Sequence, residues 1–217
     1  MLVAFDLDGT LEDSRSDMTE AVRRVRRMFA LPAISNDAIR PHLSKGMQHL
    51  YLYCFAEIAD TAHEFEKAKL AYLTDYSEHI ATQTHLYSGI ETSLNQLHKR
   101  YTLAVVTNKP EAISRQLLQT LGVLHLFDAV VGGDTCPHSK PHPEPLIHAA
   151  KLCGIDRLQN KVVMIGDSEG DVSMARQAEA KSIWCAWGYA QNPGERQPDA
   201  IAQKPSELPA LVTQLLG

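Results

Sequence analysis

The sequence lacks the features that mark membrane proteins, nucleic-acid-binding proteins and disulfide-stabilised secreted proteins. No apolar run approaches the roughly 20 residues that a membrane-spanning helix needs. Acidic residues outnumber basic ones by 26 to 21, and the net charge of −5 argues against nucleic acid, whose phosphates bind a basic excess. The four cysteines show no paired spacing, and no signal peptide precedes the first apolar run. We therefore expect a soluble, cytoplasmic protein with no membrane and no nucleic-acid partner.

Short apolar runs flanked by turn residues or charges predict buried β-strands. They lie at Leu2–Phe5, Thr102–Val106, Ala129–Val131, Val162–Ile165 and Ser182–Ala186. Helical stretches separate most of them, which is the order of a doubly wound parallel sheet. A chain of 217 residues is long enough for one such domain with a smaller insertion. The predicted fold class is therefore α/β, with a Rossmann-like core.

Nearly a hundred residues separate the first two predicted strands, and the pattern among them is helical. Two amphipathic helices are predicted from apolar stripes at Met18, Ala21, Val22, Val25 and Phe29, and at Phe65, Ala68, Leu70, Tyr72 and Tyr76. We therefore predict a helical cap domain at 16–84, inserted into a core of 1–15 and 85–217 through short links that suit a hinge. Four arginines are expected to form a solvated helix face and not a nucleic-acid site: Arg23, Arg24, Arg26 and Arg27.

Polar side chains follow the predicted strands. Asp6 and Asp8 come directly after the first strand, where two neighbouring carboxylates repel each other unless a cation or a reaction needs them. The same rim of the sheet would also receive Thr107, Asn108, Lys140, Asp167 and Asp171. Carboxylates, a lysine and small hydrogen-bonding groups around one point suit phosphoryl transfer through an aspartyl-phosphate, with Mg²⁺ bound by oxygen ligands.

Four short motifs carry a resemblance to a known family. They are DLDGT from Asp6, TNK from Thr107, the lysine of SKPHP and GDSEGD from Gly166. In this order they resemble the four motifs of the haloacid dehalogenase superfamily of phosphatases. The helical insertion, WGY at Trp187–Tyr189 and a C-terminal PSEL look most like its phosphoglycolate phosphatase branch.

The resemblance implies a catalytic role for three matched residues. Asp6 would be the nucleophile, and Asp8 would be the general acid and base. Lys140 would neutralise charge on the nucleophile and on the phosphoryl group. An aspartate at position 8 favours phosphate chemistry, because the dehalogenases themselves lack it and need no metal.

Ligand-binding roles follow from the same resemblance. Mg²⁺ would be bound by the side chains of Asp6 and Asp167 and by the backbone carbonyl of Asp8, with Asp171 supporting the site through water. The phosphoryl group would be bound by Thr107 and Asn108. The implied substrate is a small phosphorylated metabolite such as 2-phosphoglycolate, and the implied assembly is a monomer or homodimer.

The sequence departs from the family pattern at two places. The segment from Arg40 to Gly46 reads RPHLSKG where the family has an arginine followed by two glycines spaced G-x-G. We expect Ser44 and Lys45 in this segment to bind the substrate, although Lys45 could equally lie in solvent. Glu179 replaces a glycine that usually ends the helix after the fourth motif, which should affect only the stability of that helix end.

Other functions stay open at this point. A sugar-phosphate mutase would use the same phospho-aspartate, and a chain without turnover would be a phosphate-binding regulatory protein. Asp-x-Asp-Gly also begins calcium loops, but the later glycine and glutamate that such loops need are missing. Cys136, His138 and His142 are of the types that bind zinc, although no fourth ligand is in evident register.

Overall fold

The computed structural model describes residues 1–156 and 161–217. Its strands are β1 (Leu2–Phe5), β2 (Glu12–Asp13), β3 (His85–Leu86), β4 (Thr102–Val106), β5 (Ala129–Val131), β6 (Val162–Gly166), β7 (Lys181–Cys185) and β8 (Ala200–Ala202). Its α-helices are α1 (Arg15–Met28), α2 (Asn36–Ile39), α3 (Met47–Cys54), α4 (Ala62–Glu78), α5 (Ile90–His98), α6 (Glu111–Thr120), α7 (Glu144–Leu152), α8 (Glu169–Gln177) and α9 (Leu208–Leu216). Short 3-10 helices lie at Arg40–Lys45, Ala56–Ile58, Leu124–Leu126 and Pro205–Glu207.

Among the described residues, six strands form one parallel sheet in the order β5-β4-β1-β6-β7-β8. The central strand β1 is buried at every position. Strands covered on both faces are apolar throughout instead of alternating, which explains the short apolar runs in the sequence. The predicted α/β fold class is confirmed, and the structure adds β8 at one edge.

The chain forms two compact units, one of Met1–Asp13 with Leu86–Gly217 and the other of Ser14–His85. The first contains the parallel sheet, and in the second α1 packs against α4. Within the second unit, the Asp17 carboxylate accepts hydrogen bonds of 2.7–3.1 Å from the Gln83 and Thr84 N–H groups and the Thr84 hydroxyl. These bonds join the start of α1 to the segment where the chain leaves the unit. That this unit acts as a cap stays a prediction.

Two details of the helices bear on the sequence expectations. Leu70 was predicted to lie in the apolar stripe of α4, but its side chain is 66% exposed, so that assignment was wrong. Glu179 has a φ of 56°, in the left-handed region that glycine adopts more easily. No helix in the described ranges combines the length and apolar character needed to cross a bilayer.

The prediction that all four arginines of α1 are solvated was wrong for Arg26. Its side chain is 4% exposed and forms an ion pair with Glu57 at 2.5 Å. The guanidinium also donates to the carbonyl oxygens of Pro32, at 2.6 and 2.8 Å, and of Cys54. A charged side chain can be buried when it is paired and hydrogen-bonded in this way. Arg24 is also only partly exposed, and it pairs with Asp75.

Replacing Arg26 by Met should lower the free energy of unfolding by about 3 kcal/mol, because the two carbonyl groups and Glu57 lose their partner. Urea denaturation followed by circular dichroism measures this change. Arg23→Met is the matched control, since Arg23 is 42% exposed and pairs with Glu20 one turn earlier on the same helix. Loss of the Arg23–Glu20 pair should lower the free energy of unfolding by less than about 0.5 kcal/mol. Equal effects of the two substitutions would contradict the structural role of Arg26.

Candidate active site

Asp6, Asp167 and Asp171 form a buried carboxylate cluster at one end of the sheet. Asp6 follows β1 and Asp167 follows β6, and these strands are parallel neighbours with Phe5 opposite Ile165. The three aspartates are at most 6% exposed. One carboxylate oxygen from each lies within 4.8 Å of the others. The register of the sheet brings Asp6 and Asp167 together, and Asp171 joins them from the start of α8.

Asp171 is fixed by the start of α8. Its carboxylate accepts hydrogen bonds from the Ser168 N–H at 3.1 Å and hydroxyl at 2.6 Å, and its own N–H donates to the Ser168 hydroxyl at 3.3 Å. This capping box satisfies N–H groups that a helix start otherwise leaves without partners. The helix N-terminus also favours negative charge at this position.

Lys140 is buried against the carboxylate cluster. Its Nζ lies 2.6 Å from Asp6 Oδ1 and 2.8 Å from Asp171 Oδ1, and its side chain is 6% exposed. Burial alone would lower the pKa of Lys140, but attraction to Asp171 and Asp6 outweighs burial and raises the pKa above its ordinary value. Lys140 is therefore a fixed cation next to the predicted nucleophile.

Thr107 and Asn108 follow β4 and are held by local hydrogen bonds. The Thr107 hydroxyl oxygen accepts from the Lys109 N–H at 3.2 Å. The Asn108 side chain accepts from the Lys140 N–H at 3.0 Å and donates to the Lys140 carbonyl at 3.3 Å. Asn108 therefore positions the main chain of Lys140. The binding of a phosphoryl group by Thr107 or Asn108 stays a prediction.

Lys109 is a site residue that the sequence reasoning missed. Its side chain is 2% exposed, forms an ion pair with Asp8 and lies 3.9 Å from Glu12 Oε1. The sequence feature that could have indicated this role is the position of Lys109 in TNK, which follows a strand next to the one that DLDGTLE follows. Because the Asp8 side chain pairs with Lys109, its carboxylate lies outside the cluster of three that the described residues form. This arrangement fits the prediction that Asp8 would offer a metal its backbone carbonyl.

The WGY segment holds Asp167 through its backbone. The Tyr189 N–H donates to Asp167 Oδ2 at 2.6 Å, and the Trp184 indole N–H donates to the Asp167 carbonyl at 2.8 Å. A Cβ atom at Gly188 would lie 2.1 Å from the Asp167 Cβ, and one at Gly9 would lie 2.5 Å from its Oδ2. Both positions therefore need glycine, because any side chain would displace this carboxylate.

The carboxylate cluster holds more negative groups than Lys140 alone can neutralise. Burial, together with repulsion from Asp171, raises the pKa of Asp6 well above its ordinary value and that of Asp167 to about 6. Lys140 supplies one positive charge against three carboxylates. Converging carboxylate oxygens are the donors that hard cations such as Mg²⁺ and Ca²⁺ prefer. The residues present therefore fit a hard divalent cation.

The predicted substrate residues of the insertion lie in the other unit. Ser44 and Lys45 end the 3-10 helix Arg40–Lys45, and Lys45 is exposed. Gly46 follows with a φ of 89° and is the N-cap residue that precedes α3. The part that Ser44 and Lys45 play in substrate binding stays a prediction.

Comparisons with known proteins agree with this fold and these motifs. A family model described as haloacid dehalogenase-like hydrolase matches residues 3–185. A phosphoglycolate phosphatase of Nitrosococcus oceani is 32% identical over 219 residues, which cover 98% of this chain and 96% of that protein. One of Xanthomonas campestris is 35% identical over 210 residues, covering 95% and 93%.

A solved structure supports the same assignment. The crystal structure of a predicted phosphoglycolate phosphatase from Haemophilus somnus has a TM-score of 0.87 and 27% identity to this chain, and covers 97% of this chain and 96% of its own. Together with the family model, this similarity confirms the superfamily that the four motifs predicted. The chain belongs to the haloacid dehalogenase-like hydrolases.

Proposed function

We propose that this chain is a Mg²⁺-dependent phosphatase that hydrolyses a small phosphomonoester through an aspartyl-phosphate on Asp6. The observation that carries the proposal is the contact of 2.6 Å between Asp6 and Lys140 beside the carboxylates of Asp167 and Asp171. A buried carboxylate with a fixed cation beside it suits attack on phosphorus, because the cation can also balance the charge of the phosphoryl oxygens.

The two proposed half-reactions use Asp6 and Asp8 in turn. In the first, a carboxylate oxygen of Asp6 forms a bond to phosphorus, the bond from phosphorus to the alcohol oxygen breaks, and Asp8, protonated at the start of the cycle, gives that oxygen its proton. In the second, Asp8 takes a proton from water, the water oxygen bonds to phosphorus and the bond to Asp6 breaks, which releases inorganic phosphate. Lys109 holds the Asp8 carboxylate in place through their ion pair.

Asp6, Asp167 and the backbone carbonyl of Asp8 would hold Mg²⁺, with Asp171 in support. When bound, the ion would offset repulsion among the carboxylates and polarise the phosphoryl oxygens. The chain itself orients these ligands through the helix cap at Asp171 and the Tyr189 N–H bond to Asp167.

The substrate that we propose is 2-phosphoglycolate, supported by the relatives from Nitrosococcus oceani and Xanthomonas campestris that carry this activity in their names. A cytoplasmic location and a monomeric or homodimeric state belong to the same proposal, and all four cysteines are free thiols.

Phosphate release from a panel of phosphorylated metabolites, measured with Mg²⁺ present, tests the proposed reaction. We expect inorganic phosphate as the product and the highest kcat/KM for 2-phosphoglycolate. No phosphate release from any member of the panel would contradict a phosphatase. Conversion of one sugar phosphate into an isomer, dependent on a bisphosphate, would support a mutase instead.

Substitution of Lys45 by Ala is expected to lower kcat/KM for 2-phosphoglycolate by about tenfold, because a charge-assisted hydrogen bond to the substrate carboxylate would be lost. A chromogenic phosphomonoester without a carboxylate should change little. Lys67→Ala is the matched control, since Lys67 is a half-exposed lysine of the same unit paired with Glu64. Equal losses on both substrates, or none, would remove Lys45 from the specificity site.

A further inference from the structure

A second group of metal-ligating side chains lies outside the carboxylate cluster. It consists of His138, His142 and Glu144, each of which offers one ligand atom within 4.8 Å of the other two. His138 Nδ1 lies 2.7 Å from Glu144 Oε2, and His142 Nδ1 lies 4.0 Å from the same oxygen. The two imidazole rings are stacked, with centroids 4.1 Å apart and an interplanar angle of 21°.

The donor atoms of this group differ in kind from those of the carboxylate cluster. Two imidazoles and one carboxylate are a ligand set of Zn²⁺, which takes a water molecule as its fourth ligand. Imidazole also binds Cu²⁺ and Ni²⁺, whereas Mg²⁺ and Ca²⁺ select oxygen. The site would therefore discriminate between the two classes of metal ion.

The three side chains would have to move only slightly to bind such an ion. Bonds of about 2.0–2.2 Å in tetrahedral geometry place two ligand atoms roughly 3.3 Å apart. The observed 2.7 and 4.0 Å fall on either side of that separation. The side chains of His138, His142 and Glu144 are 61%, 46% and 35% exposed, so they can rotate without disturbing the core.

Cys136, which the sequence grouped with the two histidines, is a poorer ligand than Glu144. It packs against a buried hydrophobic cluster formed by residues of the sheet, α7 and α8. Burial, together with the nearby Glu144 carboxylate, raises the pKa of the Cys136 thiol, and only the thiolate binds metal well. Glu144, in contrast, is the first residue of α7 and is fixed on a regular element.

We propose that His138, His142 and Glu144 form a binding site for a divalent transition-metal ion of the Zn²⁺ class. The two histidines stand on either side of Lys140 in the chain, and both line a surface groove of about 460 Å³, as Lys140 does. A bound ion would restrain the loop that carries Lys140. This site does not depend on the proposed phosphatase reaction.

Calorimetric titration of Zn²⁺ into the full-length protein tests this proposal. The titration is made in excess Mg²⁺ and is repeated with the Asp167→Asn variant. Both controls exclude binding of Zn²⁺ at the carboxylate cluster as the source of the heat signal. We expect one equivalent of Zn²⁺ to bind with a dissociation constant in the micromolar range. His138→Ala combined with His142→Ala should weaken this binding by more than about tenfold.

Two control variants should leave Zn²⁺ binding intact. His49→Ala alters another close histidine pair, since His49 lies 2.8 Å from His42, and Cys136→Ser removes the nearby thiol. Titration with Co²⁺ adds a spectroscopic readout, because visible absorption bands report the ligands directly. Unchanged Zn²⁺ affinity in the double variant would overturn the proposal. Loss of binding in Asp167→Asn alone would assign the ion to the carboxylate cluster and overturn it as well.

Discussion

Substitution of Asp6 by Asn is expected to lower kcat by at least about a thousandfold, which is the scale of losing a covalent catalyst. Asn has nearly the same shape as Asp but lacks the negative oxygen that would bond to phosphorus. Lys140 keeps its contact of 2.8 Å with Asp171 in this variant, so the loop should remain in place. Steady-state phosphate release measures the loss.

Two further measurements separate a chemical effect of Asp6→Asn from a structural one. The melting temperature of the variant should stay close to that of the parent protein, because the substitution removes one of three repelling buried carboxylates. Acid-quenched samples with radiolabelled substrate should contain phosphorylated protein for the parent and none for the variant. Asp60→Asn, at an exposed position, is the control and should keep full activity. Near-native turnover by Asp6→Asn would rule out the proposed mechanism.

The parallel core could be predicted because a strand buried on both faces must be apolar at every position. β1, β4 and β5 lie at their predicted bounds, and β6 and β7 differ by single residues. β8 was not predicted because it has only three residues, and Ile201 at its centre is 43% exposed. An edge strand this short leaves no apolar run that a sequence pattern can detect.

The convergence of the site residues was predictable, but the pairing of Lys109 with Asp8 was not. Parallel strands place their carboxyl ends at one rim, which brought Asp6 and Asp167 together as expected. The family resemblance already implied that Lys140 neutralises Asp6, but nothing in the position of Lys109 shows that it pairs with Asp8. Such pairings depend on side-chain direction, which spacing along the chain does not determine.

Arg26 illustrates a second limit of sequence patterns. A basic residue on an amphipathic helix normally lies in solvent, and the run of arginines indicated nothing else. Its burial depends on Cys54 and Glu57, which lie about thirty positions away in the chain. Periodicity describes one helix at a time, so it cannot show which partners other elements bring to that helix.

Removal of divalent cations is expected to abolish phosphatase activity, and Mg²⁺ is expected both to restore it and to stabilise the protein. At a Mg²⁺ concentration about 100 times its dissociation constant, binding to the folded state adds about 2.7 kcal/mol, which should raise the melting temperature by about 5 °C or more. Ca²⁺ should restore activity poorly, because its longer bonds and looser coordination would misplace the phosphoryl group.

The stabilisation by Mg²⁺ should grow with pH between 5 and 7.5. Burial raises the pKa of Asp6 and, to about 6, that of Asp167, so the metal-free folded state favours their protonated forms. Their contribution to stability is therefore present in acid and is lost as pH rises through the raised pKa of each group, which for Asp167 is about 6. Mg²⁺ binds the ionised carboxylates and opposes that loss, whereas at pH 5 it must displace protons.

Differential scanning calorimetry at several pH values, with and without chelator, measures both effects. Asp167→Asn should remove most of the rise in melting temperature that Mg²⁺ produces. Full activity after exhaustive chelation, or a Mg²⁺ effect that is unchanged in Asp167→Asn, would contradict a metal site at these carboxylates.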